Sequence, residues 1–201
     1  MVYITGDIHG SLEPIYDMFA KYHPNKDDII VILGDVGVNY TGTLQDIEEA
    51  ECIIMNGVSH AVPLPKTDEM LKVLKNDGIR TGVVSNLCWS GTALTRRLQE
   101  AFSEHHFDFV ITSSEYIFRK PDVHIFDMAV RKSGLDKTDI WYCGNNKEAD
   151  IIGSHEAGLF PVFYDDRSVP SRLHERNDKI MIDFPYLHLS SWDDLINAIM
   201  Q

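Results

Sequence analysis

Along this chain, short and nearly continuous apolar runs alternate with stretches whose apolar residues recur every three to four positions. The runs are Val2 to Thr5, Ile29 to Leu33, Ile79 to Val84, Phe109 to Thr112, Ile140 to Cys143 and Pro161 to Tyr164. Rich in β-branched and aromatic residues, they predict strands, and the fully apolar ones predict strands covered on both faces. Between them, Ile15, Met18, Phe19 and Tyr22 share a face of a helix starting near Leu12, with Ser11 as its cap. Ile47, Ile53 and Ile54 mark a helix from Leu44 to Met55. Met70, Leu71 and Leu74 stripe one from Lys66 to Asn76 that Gly78 stops. Leu94, Leu98 and Ala101 do the same for Thr92 to Phe102, capped by Ser90, and Ile125, Phe126 and Ala129 for a helix ending near Gly134. A helix over Lys147 to Ala157 ends at Gly158. In the tail the pattern predicts a short strand, Ile180 to Ile182, and a helix from about Trp192 opened by Ser191 and Asp194 as an approximate capping box.

Strands alternating with amphipathic helices define the fold class: α/β, a three-layer α/β/α sandwich with a mainly parallel, Rossmann-like central sheet. Parallel strands present their carboxyl ends on one edge, where such sheets bind ligands. Asp7, Asp35, Ser85, Lys120 and Asp150 all fall at or just after predicted strand ends, so they are expected to converge there. One α/β domain is expected over 1–201, comprising a 1–44 β-α-β segment and a 60–201 core, with at most a small cap between Asp35 and Pro63.

Composition narrows the class. With 44% hydrophobic and 24% charged residues the chain has the make-up of a soluble globular protein. A formal net charge of -13 argues against a surface for nucleic acid or anionic membrane, which needs basic residues to offset phosphate. Small anionic substrates are not excluded, since one lysine and a cation can focus positive charge locally. Cys52, Cys88 and Cys143 have no metal-like spacing and leave an odd count, so a reducing, cytoplasmic setting is expected. The amino terminus shows no basic leader followed by an apolar run, and no stretch is long enough to span a bilayer.

Three motifs, in order, resemble the haloacid dehalogenase-like hydrolases over about residues 60–195: VVSN at Val83 to Asn86, RKP at Arg119 to Pro121, and GNNKEAD at Gly144 to Asp150. The resemblance implies a phosphatase acting on a small phosphorylated metabolite with Mg2+ as cofactor. Ser85, Asn86 and Lys120 would hold the phosphoryl oxygens, and Asn145 and Asp150 would hold the metal. Such chemistry calls for positioning and charge neutralisation, which hydroxyl, amide and ammonium donors supply. Asn145 stands where the family pattern has an acid, which removes one negative charge and weakens Mg2+ affinity. The pattern's first motif is not intact: Asp7-Ile8-His9-Gly10-Ser11-Leu12 aligns with it apart from His9, and Asp35-Val36-Gly37 resembles a variant of it. Either Asp7 or Asp35 is a candidate nucleophile, with His9 as a candidate general acid.

The first forty or so residues also resemble the calcineurin-like metallophosphoesterases, through Gly6 to Gly10 (GDIHG) and Leu33 to Tyr40 (LGDVGVNY). That resemblance implies Asp7, His9 and Asp35 as ligands of Mn2+ or another divalent transition metal. The later histidines of that family have no counterpart, so the metal cage is short of ligands. A third reading is a catalytically inactive domain that binds a phosphorylated ligand or a partner.

Overall fold

The computed structural model describes residues 2–5, 17, 20–23, 29–32, 44–58 and 62–200. The expected helix from Leu12 and the loops carrying Asp7, His9 and Asp35 lie essentially outside the described residues. The chain divides into two compact units, 1–63 with 89–100, and 64–88 with 101–201.

In the first unit, β1 (Val2–Thr5) pairs in parallel with β2 (Ile29–Ile32). Helix α1 (Leu44–Val58) buries Ala50, Cys52 and Met55. Cys52 and Met55 pack with Ala93 of α3 (Gly91–Ala101) and with Trp89. Ser90 caps α3 as its sequence predicts, its hydroxyl accepting from the Ala93 N–H at 3.1 Å. Glu51 of α1 in turn holds Ser90, accepting its N–H at 2.6 Å and its hydroxyl proton.

The second unit begins with α2 (Thr67–Asn76), which buries Met70, Leu71 and Leu74. Its end explains why the next strand starts late. Gly78, at φ 71°, donates to Lys75 and Ile79 donates to Leu74, the two bonds of a Schellman motif. Ile79 is thus consumed in closing a helix, and the strand expected from Ile79 is β3 (Val83–Ser85). It pairs in parallel with β4 (Val110–Thr112). Then α4 (Val123–Ser133) is capped by Asp122, whose carboxylate accepts from the His124 N–H at 2.9 Å, and ends at Gly134 with φ 67°.

The strands β5 (Trp141–Gly144), β6 (Phe160–Tyr164) and β7 (Leu187–Leu189) form a parallel sheet in that order. Between β5 and β6 lie a π-helical turn, Lys147–Ile152, and α5 (Gly153–Glu156), where the sequence predicts one α-helix. The cause is the Asn146 carbonyl, which accepts from both Asp150 N–H (2.7 Å) and Ile151 N–H (3.3 Å) and so widens the first turn. Two short elements close the unit, α6 (Leu173–Asp178) and α7 (Trp192–Ile199). The strand expected at Ile180 to Ile182 does not form: Met181 is 93% exposed, the segment pairs with nothing in the sheet, and β7 takes the place beside β6. The Ser191 and Asp194 capping box is present in full.

Two apolar clusters hold this unit together. Met70, Leu71 and Leu74 of α2 pack with Val162, Tyr164, Leu189 and Leu195. Ile125, Phe126 and Ala129 of α4 pack with Ile111, Ala157 and Leu159. Every strand pairing among the described residues is parallel, and in the second unit helices pack against the strands, in keeping with the α/β reading.

Candidate functional site

Lys120 and Asp150 are far apart in sequence and adjacent in space. The Lys120 ammonium lies 2.7 Å from the Asp150 carboxylate, and their side chains are 12% and 5% exposed. The chain brings them together through small residues. A Cβ on Gly144 would run into the Asp150 carboxyl group, and one on Gly153 would press on Pro121 and Phe126. Only glycine at these two positions lets the turn after β5 lie against the Lys120-Pro121 segment.

Asn86, just beyond β3, fixes the lysine's backbone. Its Nδ2 donates to the Lys120 carbonyl at 2.8 Å and its Oδ1 accepts from the Lys120 N–H at 2.9 Å. Ser85 is its neighbour at the strand end, in register with fully buried Thr112. Asp150 is held from the other side: its Oδ2 accepts from the Asn146 N–H at 2.9 Å. The Asn146 side chain accepts from Ala149 N–H at 3.0 Å and opens the π turn. Beneath the pair, the Lys120 ammonium lies 5.5 Å from the centre of the Tyr142 ring. The Tyr142 hydroxyl donates to the Val84 carbonyl at 3.3 Å. Burial of that hydroxyl, and secondarily the charge of Asp150, push its pKa well above the usual phenol value, so it stays a neutral donor.

The structure therefore gathers Asn86, Lys120, Asn146 and Asp150 at the carboxyl ends of β3 and β5, with Ser85 and Asn145 next to them in the chain. Asn145 is exposed beside a small cavity that Tyr164, Asp165, Ser171 and His174 also line. The other sequence candidates, Asp7, His9 and Asp35, lie outside the described residues. Among the described residues no three His, Cys, Asp or Glu side chains gather in a metal-binding cluster. The donors near the pair are a carboxylate and amide oxygens, a set that suits a hard cation such as Mg2+.

Two residues of this neighbourhood carry no sequence signal that marks them, Tyr142 and Asn177. Tyr142 reads as one apolar position in a strand. Asn177 lies in α6, an element the apolar pattern does not predict, yet it is 1% exposed and bonded to the Asn145 to Lys147 loop.

The fold and this geometry define an α/β protein with an ammonium and carboxylate pair at the carboxyl ends of parallel strands. The model of the family described as haloacid dehalogenase-like hydrolase matches residues 8–163, and the chain belongs to that family. The match begins one residue after Asp7 and runs through the segment that resembles metallophosphoesterases, which leaves that second resemblance without support. A glyceraldehyde 3-phosphate phosphatase of Methanopyrus kandleri is 30% identical over 89% of this chain and 74% of its own length. The protein of the same name from Methanothermobacter thermautotrophicus is 36% identical, over 50% of this chain and 43% of its own. A crystal structure of a HAD-superfamily hydrolase from Ehrlichia chaffeensis superposes with a TM-score of 0.53, covering 98% of this chain and 95% of that one at 17% identity. It shares the fold. No helix among the described residues is long and apolar enough to cross a membrane.

Proposed function

We propose that this protein is a Mg2+-dependent phosphatase that hydrolyses a small phosphate monoester. The reading rests on the Lys120 and Asp150 pair, which supplies a buried ammonium held at a fixed point of the ligand-binding edge. Lys120 has three N–H donors and among the described residues gives one to Asp150; in this reading the others serve phosphoryl oxygens, whose spread charge a cationic donor stabilises. Asp150 aims the ammonium, and Asn86 fixes the backbone from which it projects. Asp150 and Asn145 would hold the cation through their oxygens, and the cation would neutralise phosphate charge.

The nucleophile in this reading is Asp7, with Asp35 as the alternative. A carboxylate oxygen forms a bond to phosphorus as the ester oxygen leaves with a proton, and water then releases inorganic phosphate from the aspartyl phosphate. His9 is the candidate donor of the leaving-group proton. Because two relatives are named glyceraldehyde 3-phosphate phosphatases, three-carbon phosphorylated metabolites are the first natural substrates to assay. A cytosolic setting belongs to the same reading and agrees with Cys52, Cys88 and Cys143 being unpaired.

The test is release of phosphate from p-nitrophenyl phosphate and from glyceraldehyde 3-phosphate with and without Mg2+. Asp7→Asn is expected to abolish turnover and the phospho-enzyme, because an amide cannot form it. Loss of turnover in Asp35→Asn alone would move the nucleophile to Asp35. A wild-type protein that binds phosphate through Lys120 yet turns over nothing with Mg2+, Mn2+ or Co2+ would instead be a phospho-ligand-binding domain, the reading that Asn145 favours.

A further inference from the structure

Helix α6 is short, and Asn177 is the one residue it buries, at 1% exposure. A buried amide must find partners for both its ends, and this one finds them in one loop. Its Nδ2 donates to the Asn145 carbonyl at 2.9 Å, and its Oδ1 accepts from the Lys147 N–H at 3.0 Å. The partners settle the orientation of the amide, since a carbonyl can only accept and a backbone N–H can only donate. With the Asn146 N–H bound to Asp150, three successive residues of the turn after β5 each have a backbone group tied to a side chain. Lys147 adds a bond from its ammonium to the Ile180 carbonyl at 3.1 Å. Asn145 itself is exposed and its own backbone is held from behind by Asn177.

We propose that Asn177 is a positioning residue for the cation-binding loop: it touches neither cation nor phosphate, and it sets the place from which Asn145 would reach the cation. This rests on the phosphatase reading for the role of the loop, and on the two hydrogen bonds for the role of Asn177. No other side chain of similar size does both jobs. Aspartate keeps the acceptor for Lys147 but faces the Asn145 carbonyl with a second oxygen. Leucine leaves both backbone groups of the loop without their partner. Where outer-shell partners orient metal ligands, their loss costs about 10–100-fold in metal affinity or activity. A role confined to holding the fold together would lower stability and leave cation affinity alone.

The experiment compares wild type, Asn177→Asp and Asn177→Ser, each checked for a cooperative melt. Mg2+ binding is measured by calorimetry on substrate-free protein, and the Mg2+ dependence of p-nitrophenyl phosphate hydrolysis is measured beside it. Both variants are expected to bind Mg2+ about 10–100-fold more weakly, with kcat recovering to within a few-fold of wild type at saturating Mg2+. Arg176→Ala, one residue away, breaks only an exposed ion pair with Glu148 and is expected to shift Mg2+ affinity by less than about twofold. Variants that melt earlier but bind Mg2+ like wild type overturn the inference, as does a wild type that binds no Mg2+. If wild type binds Mg2+ without turnover, calorimetry still decides on Asn177 while the phosphatase reading fails by itself. Should Asn177→Asp not fold, the Asn177→Ser titration decides.

Discussion

Two buried carboxylates stand near neighbouring strand ends of the same parallel sheet, and their partners differ. Asp150, 4% exposed, follows β5; Asp165, 7% exposed, directly follows β6. Each has a cationic partner within hydrogen-bond distance. Asp165 accepts from Arg167 Nε at 2.6 Å, with the His174 ring nitrogen at 3.0 Å and that of His188 at 3.9 Å. Each of the two nearer partners is itself tied down. Arg167 also forks onto Asp178 at 2.6 and 3.2 Å, and His174 bonds the Val169 carbonyl with its second nitrogen at 2.9 Å. That network closes on itself. Among the described residues Lys120, by contrast, gives one bond to the Asp150 carboxylate, which leaves two of its three N–H groups without a described acceptor. Burial of charge alone therefore does not separate the two clusters; the number of described partners on each cation does.

The sharpest way to break this comparison is to remove one member from each cluster. Lys120→Met is expected to lower kcat/KM for an aryl phosphate by about 10²–10³-fold, the scale for losing one charge-stabilising donor. It also leaves Asp150 buried without its partner, which destabilises the fold by about 3 kcal/mol. Asp165→Asn should cost about 1–3 kcal/mol, less because Arg167 is half exposed and screened by water, while kcat/KM of the folded enzyme stays within about threefold. Urea titration and steady-state kinetics on both variants decide. A folded Asp165→Asn protein without activity would move Asp165 into the site and end the distinction.

A smaller effect sharpens the open cluster itself. Asn145→Asp puts a carboxylate at the start of the loop that leads to Asp150, and ligand charge is a main determinant of affinity for hard cations. Calorimetry is expected to show Mg2+ binding tightened by about tenfold, or about 1.4 kcal/mol, with little change in melting temperature without Mg2+. Unchanged affinity would take residue 145 off the ion.

The same two clusters show what a sequence reveals and what it withholds. Lys120 and Asp150 could be placed on one edge before any coordinates, because each follows a strand and parallel strands share an edge. Helix α4, its stop at Gly134 and the Ser191 cap were equally legible, since caps and apolar stripes are local signals. The strands expected to start at Ile79 and at Ile180 were misread for a shared reason. A short apolar run does not say whether its backbone will pair with a sheet or, as at Ile79, close a helix. The π turn was hidden because it depends on one carbonyl serving two donors. Asn177 was hidden because its partners are backbone groups distant in the chain, brought close only by folding. The Asp165 network joins residues close in sequence, but in a segment that carries no apolar pattern to place them on one element.

The smallest expected effect concerns the rim of the closed cluster and depends on pH. The Arg167 guanidinium, by hydrogen bonds first and by its charge after them, holds the Asp178 carboxyl below its usual 3.8. A carboxyl whose folded pKa lies below its unfolded one contributes stability that is complete above the unfolded value and is lost as pH falls through the folded value. At pH 7 the contribution is present in full; it fades only below about pH 4. Asp178→Asn removes it at every pH, so the gap in urea midpoint between wild type and variant should be widest near neutrality and shrink toward pH 3. Both groups are exposed, so added salt should narrow the same gap at pH 7, and phosphatase activity should not respond. A gap that stays constant from pH 7 to pH 3 would mean that Asp178 acts through packing and not through its charge. The closed cluster would then be held at Asp165 alone, and its contrast with Lys120 would rest on one carboxylate.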